Sequence, residues 1–416
     1  MSRTDLTRGP SRGPAPAPRR AETRSAEGKL PLAALLALTT AVFITSLTET
    51  LPAGLLPAMG GDLGVGESAA GQTVTVYALG TVLTAIPLST ATAGWRRRRL
   101  LLTAMAGFAV ANTVTALSTS YPLTMAARFA AGVAAGLAWA LLAGYARRMA
   151  PAHLQGRAVA VAMAGIPVAL SLGVPAGTFV GKVTGWQTAF LVMTGLTLVL
   201  LAWIPAAVPD HPGHRPEKGS SPSMLGALKV PGVAPVLTVT LVFVLAHTLL
   251  YTYIAAFLDR LGMGGRADAV LLVFGGASLT GTWAVGALIN RRLRALMITG
   301  TLLVAVAGVV LALFARSPAL VYGAVVLWGL GWGGVPTLLQ TAAGDAGDAG
   351  GGQADAAQAM LVTLWNVAMA GGGVVGGLLL DAFGTGALPW SVPILLVPVA
   401  AVVVAARTHG FPARRA

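Results

Sequence analysis

Two ionisable residues stand where a charge is expensive. Glu49 falls inside the first long apolar run, residues 31–59, within the stretch Thr48-Glu49-Thr50-Leu51-Pro52-Ala53-Gly54-Leu55-Leu56-Pro57. Arg128 opens RFAAGVAAG, residues 128–136, inside a second apolar run. In hydrocarbon a charged side chain costs on the order of 3 kcal/mol or more, so such residues are rare and mark function. A carboxyl group in low dielectric can be neutral in one state and ionised in another, which is the chemistry of carrying a proton. A guanidinium cannot shed its charge and therefore needs a partner. Bland readings stand beside both. Thr48, Thr50 or a neighbouring helix could satisfy a structural Glu49, and Arg128 could snorkel to the headgroups.

The elements that must position them are membrane spans. Of 416 residues, 55% are hydrophobic and only 10% charged, with mean hydropathy +0.76, whereas soluble chains are about 25% charged. At about 20 apolar residues per crossing, spans fall near 32–58, 69–93, 99–119, 122–145, 158–181 and 187–208. A polar segment from Pro209 to Lys229 follows. Six more fall near 232–258, 269–289, 295–315, 318–342, 356–380 and 388–406. The expected organisation is a basic tail over 1–30, a six-helix bundle over 31–208, and a central loop over 209–230. A second bundle over 231–407 and a tail over 408–416 complete it.

Charge fixes the orientation. With both ends on one side, that side carries all but five of the 28 Lys and Arg residues. The exceptions are Lys182, Arg260, Arg266, Arg316 and the intramembrane Arg128. Basic residues gather on cytoplasmic loops, so both termini are expected on the cytoplasmic side of the membrane. The net charge of +14 then reports topology rather than nucleic-acid binding. The loop Gly344–Gly352 departs from the bias, with Asp345 and Asp348 and no basic residue. The chain has no cysteine, which excludes disulfides and thiolate metal sites. It has no phosphate-binding loop of the Gly-x4-Gly-Lys-Ser/Thr type and no nucleophile or His/Asp cluster suited to an integral membrane enzyme.

Odd spans run outward, so Glu49 lies about 12 Å below the outer end of span 1 and Arg128 about 9 Å below the start of span 4. Their depths agree, and a contact between them, direct or through water, is expected. The halves look related: Leu79-Gly80 and Phe274-Gly275 each precede a span and an arginine cluster, and Gly173 and Gly177 match Gly373 and Gly377. Transporters built from such repeats bind cargo between the halves near the midplane.

These residues resemble a known family. The chain is similar to a twelve-span member of the major facilitator superfamily, in its drug:proton antiporter branch, and more narrowly to arabinose-efflux-permease-like and chloramphenicol-resistance-type exporters. The resemblance covers Leu32 to Arg407. It rests first on Glu49, Pro52, Gly54 to Pro57 and Asp62 to Val65, then on Arg128 with its spaced glycines. AGIPVALSLGVPAGTFVG (residues 164–181) resembles the antiporter motif, with Gly165, Gly173, Pro175 and Gly177. The loop ATAGWRRRR (residues 91–99) fits the family's gating loop only partly: Arg96 and Arg97 are present, but Thr92 or Ala93 stands where an Asp belongs. Its second copy, GALINRRLR (residues 286–294), keeps Gly286, Arg291 and Arg294 but has Asn290 for that Asp. GWQTAF (residues 185–190) resembles a Gly-Trp-Arg motif with Gln187 for Arg.

The resemblance implies an all-α fold of two pseudo-symmetric six-helix bundles and a proton-coupled antiporter exporting a drug or other amphipathic small molecule. Its partners are cargo, protons and the bilayer, with no nucleic acid, cofactor or metal, and it would act as a monomer. By analogy Trp139, Tyr145, His247, Tyr251, Trp328, Trp332 and Gln340 are candidate cavity walls. His247 could instead help carry protons or make a packing hydrogen bond. Two rivals are a sugar or metabolite facilitator on the same fold, indifferent to the pH gradient, and a membrane enzyme.

Overall fold

The computed structural model describes residues 30–92, 94–151, 154–213, 226, 228–349 and 353–412. The tail over 1–29 and His214, Arg215, Glu217 and Lys218 of the central loop lie outside them. Among the described residues eleven helical segments are long and apolar enough to cross a membrane. The helix Glu67–Ala91, with 25 residues, extends about 37 Å at 1.5 Å per residue and supplies the remaining crossing. The twelve expected spans are therefore present.

Several are broken where the sequence removes a backbone donor. Span 1 is Leu32–Thr50 followed by Pro52–Leu63, because Pro52 has no N–H to continue the ladder. Span 5 runs Gln155–Met163, Gly165–Val168, a wide turn Ala169–Gly173 and Val174–Thr184. The wide turn immediately precedes Pro175, and such turns collect at functional positions in helices. Span 7 is Val233–Thr252 and Ile254–Arg260, interrupted at Tyr253 (φ −104°, ψ 16°).

Two loops differ from expectation. Spans 8 and 9 form one run, Ala267–Phe314, broken only at Arg292 (φ −139°, ψ 31°). The loop expected between 289 and 295 is thus a sharp break in a continuous helix. Span 10, Pro318–Gly333 and Val335–Ala349, overruns its expected end at 342, so Asp345 and Asp348 sit on helix. The remaining spans are Arg97–Leu117 (span 3), Tyr121–Arg148 (4), Trp186–Ala207 (6), Ala354–Phe383 (11) and Ala387–Ala405 (12).

The repeat is visible in the contacts. Gly132 of span 4 lies against the Tyr77 carbonyl of span 2, and Gly329 of span 10 lies against the Phe274 carbonyl of span 8, at a common offset of 197 residues. Thr81 Oγ1 donates to the Gly132 carbonyl (3.1 Å), and Thr282 Oγ1 donates to that of Gly333 (2.6 Å). Without lipid-excluding forces between helices, such backbone proximity is what holds spans together. The match of Gly173 and Gly177 to Gly373 and Gly377 needs a one-residue correction. Gly173 and Gly177 press on Phe43 and Leu51 of span 1, and the glycines pressing likewise on span 7 are Gly372 and Gly376. Gly373 and Gly377 instead face Thr75, Ser68 and Gln72 of span 2, across the halves.

Hydrogen bonds between halves cluster at the end away from the termini. Tyr253 Oη donates to the Gly373 carbonyl (2.8 Å) within its own half. Gln72 Nε2 crosses to that same carbonyl (3.2 Å), and Thr75 Oγ1 donates to the Ala370 carbonyl (3.4 Å). Lys182 Nζ donates to the Gly265 carbonyl (2.6 Å) and lies 3.7 Å from Asp268. The halves are thus clasped at the end opposite the basic loops.

Gly132→Ala and Gly329→Ala should each destabilise by about 1–3 kcal/mol, the usual cost of overpacking, seen as a lower Tm in detergent. Gly195→Ala, where an added methyl meets nothing within 4 Å, should leave Tm unchanged.

Candidate functional site

Arg128 is fully buried, so its charge is held inside the bundle and does not reach headgroups. Its Nε donates to the Thr73 carbonyl (3.3 Å), and its guanidinium carbon sits 4.9 Å from the centre of the Tyr77 ring and 5.9 Å from that of Phe190. Cation–π contact of this kind stabilises a desolvated guanidinium by about 2 kcal/mol. Tyr77 is itself pinned, its Oη donating to the Thr45 carbonyl (3.1 Å). Arg128 Nη1 and Nη2 are buried with no hydrogen-bond partner in the protein. Two donors of a cation aimed into a low-dielectric interior leave a place for an anion or water.

Glu49 lies on the same cluster, only 9% exposed and within electrostatic reach of both Arg128 and Tyr77. It does not touch Arg128: among the described residues the ion pairs within 4.0 Å are Arg96–Asp210 and Lys182–Asp268. Nor do its neighbours occupy it. Thr50 Oγ1 donates back to the Ser46 carbonyl (2.8 Å), and Thr48 Oγ1 accepts from Asn112 Nδ2 (3.2 Å). The carboxyl and the guanidinium therefore lie in one buried cluster without a fixed bond.

The second half carries rings at the matching position. His247 stacks on Trp332 with centroids 3.4 Å apart and planes 3° from parallel, and its ring lies 5.3 Å from Tyr251 and 5.9 Å from Phe274. Trp328 Nε1 donates to His247 Nδ1 (3.1 Å). Indole is only a donor, so Nδ1 accepts and the ring proton sits on Nε2. Protonating Nδ1 would oppose two donors, which argues against His247 as the proton carrier. The Tyr251 hydroxyl is buried without a partner.

The other expected wall residues are placed differently. Trp139 is half-buried against the core of the first half. Tyr145 is a tether, its Oη donating to the Pro209 carbonyl (2.7 Å) beside the His211 ring. Gln340 is exposed, and its carbonyl accepts from Gln358.

Both basic clusters clamp span ends. Arg96 Nε pairs with Asp210 Oδ2 (2.5 Å), and Arg97 and Arg98 join the same junction after span 6. In the second copy Arg294 Nη2 donates to the Val404 carbonyl of span 12 (2.7 Å). Gly286 is exposed, an added methyl there would meet nothing within 4 Å, and Arg291 is exposed. The Asn290 side chain lies outside the described residues. Gly165 packs against the Thr39 carbonyl of span 1, and Pro175 is buried.

At the clasped end Asp62 Oδ2 accepts from Trp186 Nε1 and from Gln187 Nε2, both at 2.9 Å. Gln187, which stands where the motif has Arg, is thus a donor to this carboxylate. Between the halves there, a cavity of about 170 Å³ is lined by Gly54, Pro57, Thr178, Lys182, Asp259 and Asp268. Sequence reasoning did not assign Tyr77, Asn112 or Phe274 to the site; ring and amide residues in an apolar helix carry no signal separating packing from function.

A sequence model described as "Major Facilitator Superfamily" matches residues 38–354. The chain belongs to that superfamily. Among its relatives, a Pseudomonas aeruginosa protein named "Transcription regulatory protein OpdE" is 30% identical over 384 residues, 90% of this chain and 94% of that one. A chloramphenicol efflux pump of Mycobacterium tuberculosis is 30% identical over 365 residues, covering 83% and 86%. A purine ribonucleoside efflux pump of Escherichia coli is 28% identical over 348 residues, covering 81% and 85%. By fold it is similar to the xylose transporter XylE of E. coli in a partially occluded inward open conformation. That match has TM-score 0.70 and 15% identity, covering 90% of this chain and 98% of that one. This major facilitator is a multi-pass membrane transporter and not an enzyme, with efflux pumps among its relatives.

Asp62→Ala leaves the buried Trp186 N–H and the Gln187 amide without their acceptor and should cost about 1–3 kcal/mol. Asp62→Asn keeps an acceptor and should cost less, an order readable from the two Tm values.

Proposed function

We propose that the transporter exports a small ring-bearing molecule in exchange for protons, with Glu49 as the proton carrier. The supporting observation is Arg128, an obligate cation buried with two unpartnered donors beside a carboxyl that is near but unbonded. When Glu49 is ionised it neutralises the chamber; when protonated it leaves Arg128 to the Tyr77 face and the Thr73 carbonyl. The two states differ in field, so a proton or an anionic or polar cargo group arriving there shifts the balance between conformations. Alternating access then follows from the two halves rocking about the chamber.

The clasp at the far end, with the basic loops at the other, corresponds to a cavity facing the cytoplasm if both termini are cytoplasmic, and that is the orientation we assign in a bacterial plasma membrane. The ring cluster at His247, Tyr251, Trp328 and Trp332 supplies the cargo wall. Stacking suits planar groups, and Tyr251 Oη and His247 Nε2–H remain for a polar substituent. Chloramphenicol and purine ribonucleosides, named for two relatives, both carry a planar ring. One proton moving through 100 mV contributes about 2.3 kcal/mol, enough to drive a cargo gradient of about fifty-fold.

Everted vesicles loaded with a pH-sensitive dye test this reading. Cargo addition should release protons in the native transporter. Glu49→Gln should lose proton release and gradient-driven export at least tenfold while keeping downhill cargo exchange, now independent of pH. Arg128→Ala should lose both. Full proton-driven export by both variants contradicts the reading, and cargo flux indifferent to the gradient in the native protein favours a facilitator.

A further inference from the structure

The basic loop lacks an acid of its own, yet it is not without a counter-charge. In the first half the described acids are Glu49, Asp62, Glu67 and Asp210. Glu49 is mid-span, and Asp62 and Glu67 lie at the clasped end. Among the described residues of the first half, Asp210 is therefore the acid at the end that carries Arg96, Arg97, Arg98, Arg99, Arg147, Arg148 and Arg157.

Its contacts go beyond a surface ion pair. Besides meeting Arg96, its Oδ1 accepts from the Arg98 backbone N–H (3.3 Å), while the Arg97 N–H donates to the His211 carbonyl (2.8 Å). Span 3 begins at Arg97 and has no side-chain cap of its own. The first helical donors, orphaned in any helix, are thus satisfied from residues 210 and 211, which follow span 6. A carboxylate there also faces the positive end of the span 3 dipole. Two more contacts fasten the junction: Tyr145 Oη to the Pro209 carbonyl, and Arg98 Nη1 to the Pro205 carbonyl (3.5 Å). Asp210 sits where spans 3, 4 and 6 meet.

We infer that Asp210 is the positioning residue of the gate at this end, supplying from the central connection the carboxylate that the loop after span 2 lacks. Among the described side chains, the same end of the second half carries Arg291, Arg292, Arg294 and Arg407 beside Asp345 and Asp348. Shutting this end brings two positive faces together. The Asp210 charge lowers that repulsion and keeps Arg96 folded back on its own half. Without it, the conformation clasped at the far end is favoured and the far end opens less often.

The cysteine-free sequence makes the test direct. Thr75→Cys places a reporter in the far-end clasp, where Thr75 is buried and reacts with a membrane-impermeant maleimide only when that end opens. On this background Asp210→Asn should slow labelling about threefold at low salt, the scale of a single exposed charge pair. Raising salt toward 1 M, where the screening length falls to about 3 Å, should restore the native rate. The double charge swap Arg96→Asp with Asp210→Arg should keep the pair but lose the cap, recovering only part of the rate. Labelling by Asp210→Asn equal to native at all salt concentrations overturns the inference, as does slowing that salt does not relieve, which reports damage to packing. Should Asp210→Asn not yield monodisperse protein, Asp210→Glu, which keeps the charge, must label within about twofold of native or the inference fails.

Discussion

A guanidinium that cannot lose its charge is sealed inside the first half of this transporter, and the rest of that half is arranged around it. Its burial would cost several kcal/mol if uncompensated. The compensation is partial: one backbone carbonyl, one tyrosine face, one more distant phenyl ring. What remains unsatisfied is directional, because Nη1 and Nη2 lack partners while Glu49 lies near and unattached. A fully satisfied guanidinium would be inert. An incompletely satisfied one can respond to a change of charge beside it, and that is the basis of the role proposed for Glu49.

The two halves use one frame and two fillings. At the offset of 197 seen in the packed glycines, Tyr77 corresponds to Phe274, Arg128 to Val325 and Thr50 to His247. The ionic cluster of one half is replaced in the other by stacked rings, with His247 Nδ1 accepting from the Trp328 indole. Helix contacts through Gly132 and Gly329 are preserved while the side chains between them diverge. A repeated backbone thus carries two chemically distinct clusters, one ionic and the other aromatic.

The spans were legible in the sequence because hydrocarbon thickness imposes their length, and the gathering of basic residues at one end because charge is excluded from lipid. Glu49 and Arg128 were legible for the same reason. The break at Arg292 was not, since a short polar link between two apolar runs reads as a loop whether or not the helix continues through it. The one-residue error in aligning Gly173 with Gly373 arose because adjacent glycines, Gly371 to Gly373, are indistinguishable without knowing which faces span 7. Asp210 was visible only as one acid in a polar segment; its meaning depends on span 6 ending beside the start of span 3. Gln187 was visible only as a substitute for Arg in a motif; its amide donating to Asp62 depends on span 6 starting beside the end of span 1.

The central claim is that Glu49 changes protonation as the transporter works. Infrared difference spectroscopy on the purified protein reads this directly, through the carbonyl stretch of a protonated carboxyl group. A band that rises on acidification, falls when cargo binds and is missing in Glu49→Gln is the predicted result. A band that persists unchanged in Glu49→Gln, or no carboxyl band responding to cargo in the native protein, contradicts it.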